Sequence, residues 1–305
     1  MMTLKAQMHD PSSRLVLGTA QLGAPYGIAN KTGQPDTAAA RSIVKNAWES
    51  GIREFDTAQS YGEGERVLGS ALVELGISRE AKVITKFDPN LQHLDKSAMY
   101  RALDTSLKHL RVPRLYGVLL HCEAQLDLWE KGIGKILLGF VRNGQVERVG
   151  VSVYSTDKAL RALETNGVEM VQVPSNLLDR RFLDAGIFEL ADKKGKCIYI
   201  RSVYLQGLIL MSPDELPEKM EFARSTLEKL VSISQEFGMS RQEIALSYLK
   251  MVMPKAQIIF GAETPGQVKE NVACWRKILP DSLINCLQKR FMSVDEKILN
   301  PVLWT

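Results

Sequence analysis

The chain has 305 residues, of which 45% are hydrophobic and 24% charged, enough apolar content to bury a full core as one large α/β domain or two smaller ones. A formal net charge of +4, with no block of consecutive basic residues, argues against nucleic acid or a lipid surface as partner and leaves small molecules. The N-terminal stretch MMTLKAQMHDPSSRLVLGTAQLG lacks the apolar run of a signal peptide, and no segment reaches the ~18 apolar residues of a membrane span, so a cytoplasmic protein is expected.

The elements alternate with a short period. RLVLGTA (14–20) reads as a strand, and DTAAARSIVKNAWESG (36–51) as a helix opened by Asp36 or Thr37 and closed by Gly51. REFDTA, AKVITKF and RLYGVLLHC follow as strands, separated by the helical patterns GERVLGSALVELG and LDKSAMYRALDTSLKHLRV. After the helix IGKILLGFVRNG come the strands VERVGVS, EMVQVPSN, CIYIRSVY and AQIIFGA, with one long helical stretch expected over 219–252.

Eight strands in all alternate with helices, and runs such as YGVLLH and CIYI are apolar on both faces, as a covered parallel sheet requires. Eight βα units in a chain of this length fit a (β/α)8 TIM barrel of the α/β class. An open doubly wound sheet is the rival, but no GxGxxG opens a helix. One unit over 1–305 is expected, with the tail from about 280 on or near the barrel mouth.

The four cysteines, Cys122, Cys197, Cys274 and Cys286, lie far apart, which points to free thiols; neither their spacing nor any other cluster suggests a metal.

In a barrel, all strand ends open onto one face. Asp56 ends the second strand, Lys86 the third and His121 the fourth, with Tyr61 in the loop after Asp56. An ammonium beside a phenol favours its ionised form, a buried carboxylate can hold that ammonium, and a neutral imidazole can donate to a carbonyl oxygen. Together these groups make a general acid aimed at a developing alkoxide. Each alone has a plainer reading: Asp56 as a loop cap, Tyr61 as a packed aromatic, Lys86 as a solvent contact, His121 as a core histidine.

The blocks FDTAQSYGEGERVLG, VITKF, GVLLH and VERVGVS resemble the signature segments of the aldo-keto reductase superfamily. The resemblance implies a carbonyl reductase (EC 1.1.1.-) in which Tyr61 is the acid, assisted by Lys86, His121 and Asp56, with NAD(H) or NADP(H) lying across the barrel mouth. It places the cofactor against Gly18, Thr19, Ala20 and Asp56, with Ser152 and Gln172 on the carboxamide. Val153 stands where the family often has asparagine, so one carboxamide contact is expected either to be missing or to be taken over by Asn176.

By the same resemblance, Ser202, Val203, Tyr204, Leu205, Gln206 and Gly207 form the nicotinamide and pyrophosphate loop, while Arg201 could instead pair with a carboxylate on the rim. The block IIFGAETPGQVKENV is similar to the family's adenosine segment, with Gly261, Ala262, Glu263, Thr264 and Gln267 around the 2'-position and Glu270 and Asn271 on the adenine. A glutamate at 263 repels a 2'-phosphate and can accept from a free ribose hydroxyl, which leans the choice toward NAD(H).

Substrate selection falls to the loops, among them GAPYGIANKTGQP, expected to be mobile and to close over the cofactor, and to Trp129 or Trp304 as a pocket floor or as packing. A monomer or small homo-oligomer acting on a carbonyl or alcohol is expected. The alternative is a nicotinamide-binding regulatory or redox-sensing protein with little turnover.

Overall fold

In the computed structural model, which describes residues 14–304, the apolar segments form strands β1 (Leu15–Gly18), β2 (Glu54–Asp56), β3 (Lys82–Phe87) and β4 (Leu115–Leu120). The series continues with β5 (Val146–Ser152), β6 (Met170–Pro174), β7 (Cys197–Arg201) and β8 (Gln257–Gly261). They pair in parallel, in sequence order, and β8 closes back on β1. This is a (β/α)8 TIM barrel, in which closure leaves no open sheet edge. The N-terminal stretch read for a leader falls mostly outside the described residues.

Helices α1 (Thr37–Glu49), α2 (Gly64–Glu74), α3 (Lys96–Leu110), α4 (Gly134–Arg142), α5 (Thr156–Glu164) and α6 (Ile187–Lys194) fill the first six crossovers. Asp36 starts α1 as expected, its carboxylate accepting from Ala39 N at 2.8 Å. The seventh crossover departs from the single helix expected over 219–252. It breaks into a 3-10 turn, α7 (Arg224–Phe237) and α8 (Arg241–Val252). Gly238 leaves the helix at φ 61°, and Ser240 and Glu243 form a reciprocal capping box that starts α8. Helix α9 (Pro265–Trp275) packs between α8 and α1, and α10 (Asp281–Arg290) begins the tail.

Register decides which side chains enter the barrel. Val16, Ile84, Leu119, Met170, Tyr199 and Ile259 form one interior cluster, and side chains two residues along a strand share a face. Two residues further toward the C-terminal end therefore come Gly18, Lys86, His121, Gln172, Arg201 and Gly261. The hydrogen-bond register carries Asp56 and Ser152 into that upper layer as well, since Gly18 pairs with Asp56 and Gln172 with Ser152. Outward residues such as Phe55, Val83, Phe87, Val118 and Leu120 are fully buried against the helices, each stabilising the barrel by about 1.5–3 kcal/mol.

No described helix is long and apolar enough to cross a membrane. The four cysteines form no disulfide.

Candidate active site

Lys86 reaches the mouth through an apolar wall and is 1% exposed. Its Nζ donates to Asp56 Oδ2 at 2.6 Å and to Thr57 O at 2.8 Å. Burial opposes its charge, but the Asp56 carboxylate and the Tyr61 hydroxyl outweigh that and hold its pKa above the usual lysine value. Asp56 Oδ1 accepts from Gln172 Nε2 at 2.8 Å, so both carboxylate oxygens have donors. The Lys86 ammonium lies 5.0 Å from the centre of the Tyr61 ring, and that ring meets His121 edge-on at 5.8 Å.

The position of Tyr61 depends on two glycines in separate loops. Gly62 has φ 52°, and a Cβ there would lie 2.5 Å from Gly23 O; a Cβ on Gly23 would lie 1.7 Å from Tyr61 O. The turn after β1 thus packs directly on the backbone of the turn that carries Tyr61, an approach open only to glycine.

His121 follows β4 and its Nδ1 lies 3.2 Å from Ser60 Oγ. Burial first, then the positive charges of Lys86 and Arg201, depress its pKa to about 3. The imidazole is therefore neutral at any working pH. The four residues expected from strand-end placement are brought together at one rim.

From this corner a cleft of about 580 Å³ runs across the barrel mouth. Of the residues expected to hold a cofactor, Gly18, Thr19, Ala20, Asp56, Gln172, Ser202, Val203, Tyr204, Gln206, Gly207, Gly261, Ala262, Glu263, Gln267, Glu270 and Asn271 line it. Ser152, Asn176, Leu205 and Thr264 do not. Ser152 is buried at the end of β5, and Leu205 is part of the hydrophobic core. Thr264 caps α9 by accepting from Gln267 N at 3.2 Å.

Asn176 is spent on the backbone. Its Nδ2 donates to Ser202 O at 3.1 Å, and its Oδ1 accepts from Leu178 N and Asp179 N. It ties down the loop after β7 in place of reaching the cleft, where Val153, itself fully buried, also contributes nothing. That loop needs the support, because Ser202, Leu205 and Gln206 all adopt positive φ, conformations that cost about 1–3 kcal/mol each and collect at ligand sites.

The far end of the cleft is acidic. Gln267 Oε1 accepts from Glu263 N at 2.6 Å, Asn271 donates to Gln267 O at 2.6 Å and accepts from the Tyr204 hydroxyl. With those amides engaged, Glu263 and Glu270 are the charged groups lining this end. Burial raises the Glu263 pKa, against a weaker opposing hydrogen bond from Thr32 at 3.4 Å.

The loop after β1 lies across the cleft as a strap. Tyr26, Gly27 and Ala29 line the cleft, Lys31 pairs with Glu215 at 2.6 Å and Thr32 reaches Glu263. A Cβ on Gly207 would sit 2.4 Å from Ala29 Cβ, so the loops after β1 and β7 already touch. Gln21, Tyr154, Leu210, Gln242 and Ile259 complete the lining and were missed from the sequence, although Ile259 stands in register two residues before Gly261. Trp129 and Trp304 are packing residues, each 5% exposed, donating to Asn166 O and Lys297 O.

The cleft fits a nicotinamide dinucleotide. Gln172 Oε1 is buried without a hydrogen-bond partner, an acceptor of the kind a carboxamide NH2 satisfies, and the same side chain donates to Asp56.

The sequence model of the aldo/keto reductase family matches residues 14–289. Among curated proteins, the chain is 24% identical to the pyridoxal 4-dehydrogenase of Microbacterium luteolum, over 90% of this chain and 92% of that one. It is 22% identical to the NADH-specific methylglyoxal reductase of Escherichia coli K12, over 88% and 92% respectively. An aldo-keto reductase structure from Bacillus halodurans, in its holo form, superposes with a TM-score of 0.75 at 21% identity, covering 94% of this chain and 95% of that one. The chain belongs to the aldo/keto reductase family and is an NAD(P)(H)-dependent oxidoreductase of small carbonyl compounds.

Proposed function

We propose that the protein reduces an aldehyde or ketone to the alcohol, reversibly, with Tyr61 as general acid and NAD(H) as the preferred cofactor. The observation that carries this reading is the buried chain Gln172 to Asp56 to Lys86, facing the Tyr61 ring. When bound, the reduced nicotinamide supplies a hydride to the carbonyl carbon. Tyr61 gives its hydroxyl proton to the carbonyl oxygen as negative charge develops there, and the Lys86 ammonium stabilises the phenolate left behind. Asp56 keeps Lys86 charged and pointed at the ring. In the tautomer in which Ser60 Oγ donates to Nδ1, His121 carries its hydrogen on Nε2 and donates to the same oxygen.

Gln172 Oε1 would orient the carboxamide, and the strained 202–207 loop would hold the pyrophosphate on its backbone N–H groups. Glu263 and Glu270 at the far end, with no cation among the lining residues there, favour a free ribose hydroxyl over a 2'-phosphate. The NADH-specific relative is consistent with that preference. The unit takes in the whole chain, with the tail from about 280 near the mouth, acting as a monomer or small homo-oligomer. Four unpaired cysteines suit the reducing cytoplasm.

Loss of nicotinamide absorbance with a panel of aldehydes and ketones tests the reading. Tyr61→Phe should lower kcat by about 10²–10⁴-fold with cofactor binding retained. Equal activity of wild type and variant would refute the assignment, and tight cofactor binding without any turnover would favour a regulatory role.

A further inference from the structure

Arg201 ends β7 in the same upper layer as Lys86 and His121, and it is only half buried. Three other arginines that reach into the fold are well partnered. Arg14 donates to three backbone carbonyls, as does Arg241, and Arg181 grips Asp179 with two donors. Arg201 makes two long contacts, 3.3 Å to Ser202 Oγ and 3.4 Å to Val153 O, and among the described residues it pairs with no carboxylate. Its guanidinium lies over the Tyr154 ring at 4.2 Å, which fixes its plane and leaves its edge toward other partners.

Its location gives that spare capacity a use. Arg201, Ser202 and Tyr154 line both the reaction cleft and an outer cavity of about 590 Å³, which Pro301 and Leu299 of the tail help to wall. Of the carboxylates of that outer cavity, Asp184 accepts from Arg180 at 2.9 Å, and neither Asp184 nor Glu296 pairs with Arg201. Arg201 lines the same cleft as His121 and Tyr26, so it shares that cleft with the Tyr61 corner and with the strap.

We infer that Arg201 is a substrate-recognition residue, and that the carbonyl compound reduced here carries a carboxylate or phosphate that docks on its guanidinium where the cleft meets the outer cavity. The inference rests on the reductase reading of the cleft. A planar guanidinium offers two parallel N–H donors to either anion, and a half-desolvated cation without a counter-ion is completed by an anionic ligand.

Two matched substrate pairs test it: 4-oxobutanoate against butanal, and glyceraldehyde 3-phosphate against glyceraldehyde. Wild type should favour the anionic member of at least one pair by about tenfold or more in kcat/KM, chiefly through KM, and the pair that shows it identifies the anion. Arg201→Met should collapse that ratio toward one, and Arg201→Lys should keep part of it; taking the ratio cancels any general loss of rate. The inference fails if wild type shows no preference in either pair, or if the ratio survives in Arg201→Met. Should no aldehyde be turned over, the reductase reading fails separately. Calorimetric titration of succinate and inorganic phosphate into wild type and Arg201→Met then decides the anion site, which is supported by binding lost in the variant and overturned by binding absent from both or equal in both.

Discussion

Replacing Lys86 by methionine removes the cation but keeps most of its volume, and leaves Asp56, 4% exposed, facing a methyl group. Breaking one side of a buried ion pair costs about 3–5 kcal/mol, because the remaining charge stays desolvated. Here Asp56 Oδ1 keeps its bond from Gln172 while Oδ2 and Thr57 O lose their donor, so the lower half of that range is expected. At the usual unfolding entropy per residue, a chain of this size should lose about 5–6 °C in Tm. The double variant Asp56→Asn, Lys86→Met removes both charges, and neutral replacement of a buried pair is often close to neutral in stability. It should regain most of the lost Tm yet stay about 10²-fold or more below wild type in kcat. Scanning calorimetry with steady-state rates on the same preparations reads both effects. Recovery of activity along with stability, or wild-type rates in Lys86→Met, would show that the pair serves the fold alone.

Two further outcomes follow from the electrostatics of the cleft. Glu263→Arg should shift the ratio of NADPH to NADH dissociation constants toward NADPH by about 1–2 kcal/mol, read by fluorescence quenching at fixed ionic strength; a wild type preferring NADPH by more than about tenfold would refute the inward role of Glu263. His121, with its pKa near 3 in the fold and near 6.5 when unfolded, is bound by more protons in the unfolded chain between those values. It therefore removes stability as pH falls through that window, by about 2 kcal/mol at pH 5. His121→Asn should flatten denaturant-measured stability between pH 7 and 5, and an unchanged slope would contradict the neutral, half-buried imidazole.

The sequence by itself determined the architecture and the strand-end placement of the candidate catalytic residues, because both follow from short-range periodicity. Apolar runs such as YGVLLH can only be strands covered on both faces, and a residue at a strand's C-terminal end must sit at the mouth once the sheet closes. Asp56, Lys86 and His121 needed no more than that; the break at Gly238 was missed, although Ser240 and Glu243 spell a capping box. What the tertiary structure decided was the partner of each polar side chain. Asn176 just after β6 and Arg201 at the end of β7 both stand at the mouth, yet the first is consumed by Ser202 O and two amides while the second is left without a counter-ion. The loop after β1 is rich in glycine, and what the sequence did not show is how closely Gly23 and Gly27 approach Tyr61 O and Gln206 O, and Ala29 approaches Gly207, in the turns after β2 and β7. Such choices depend on atoms far apart in the chain meeting within a few ångströms, where one hydrogen bond gained or lost outweighs any local preference, and no spacing along the sequence encodes that distance.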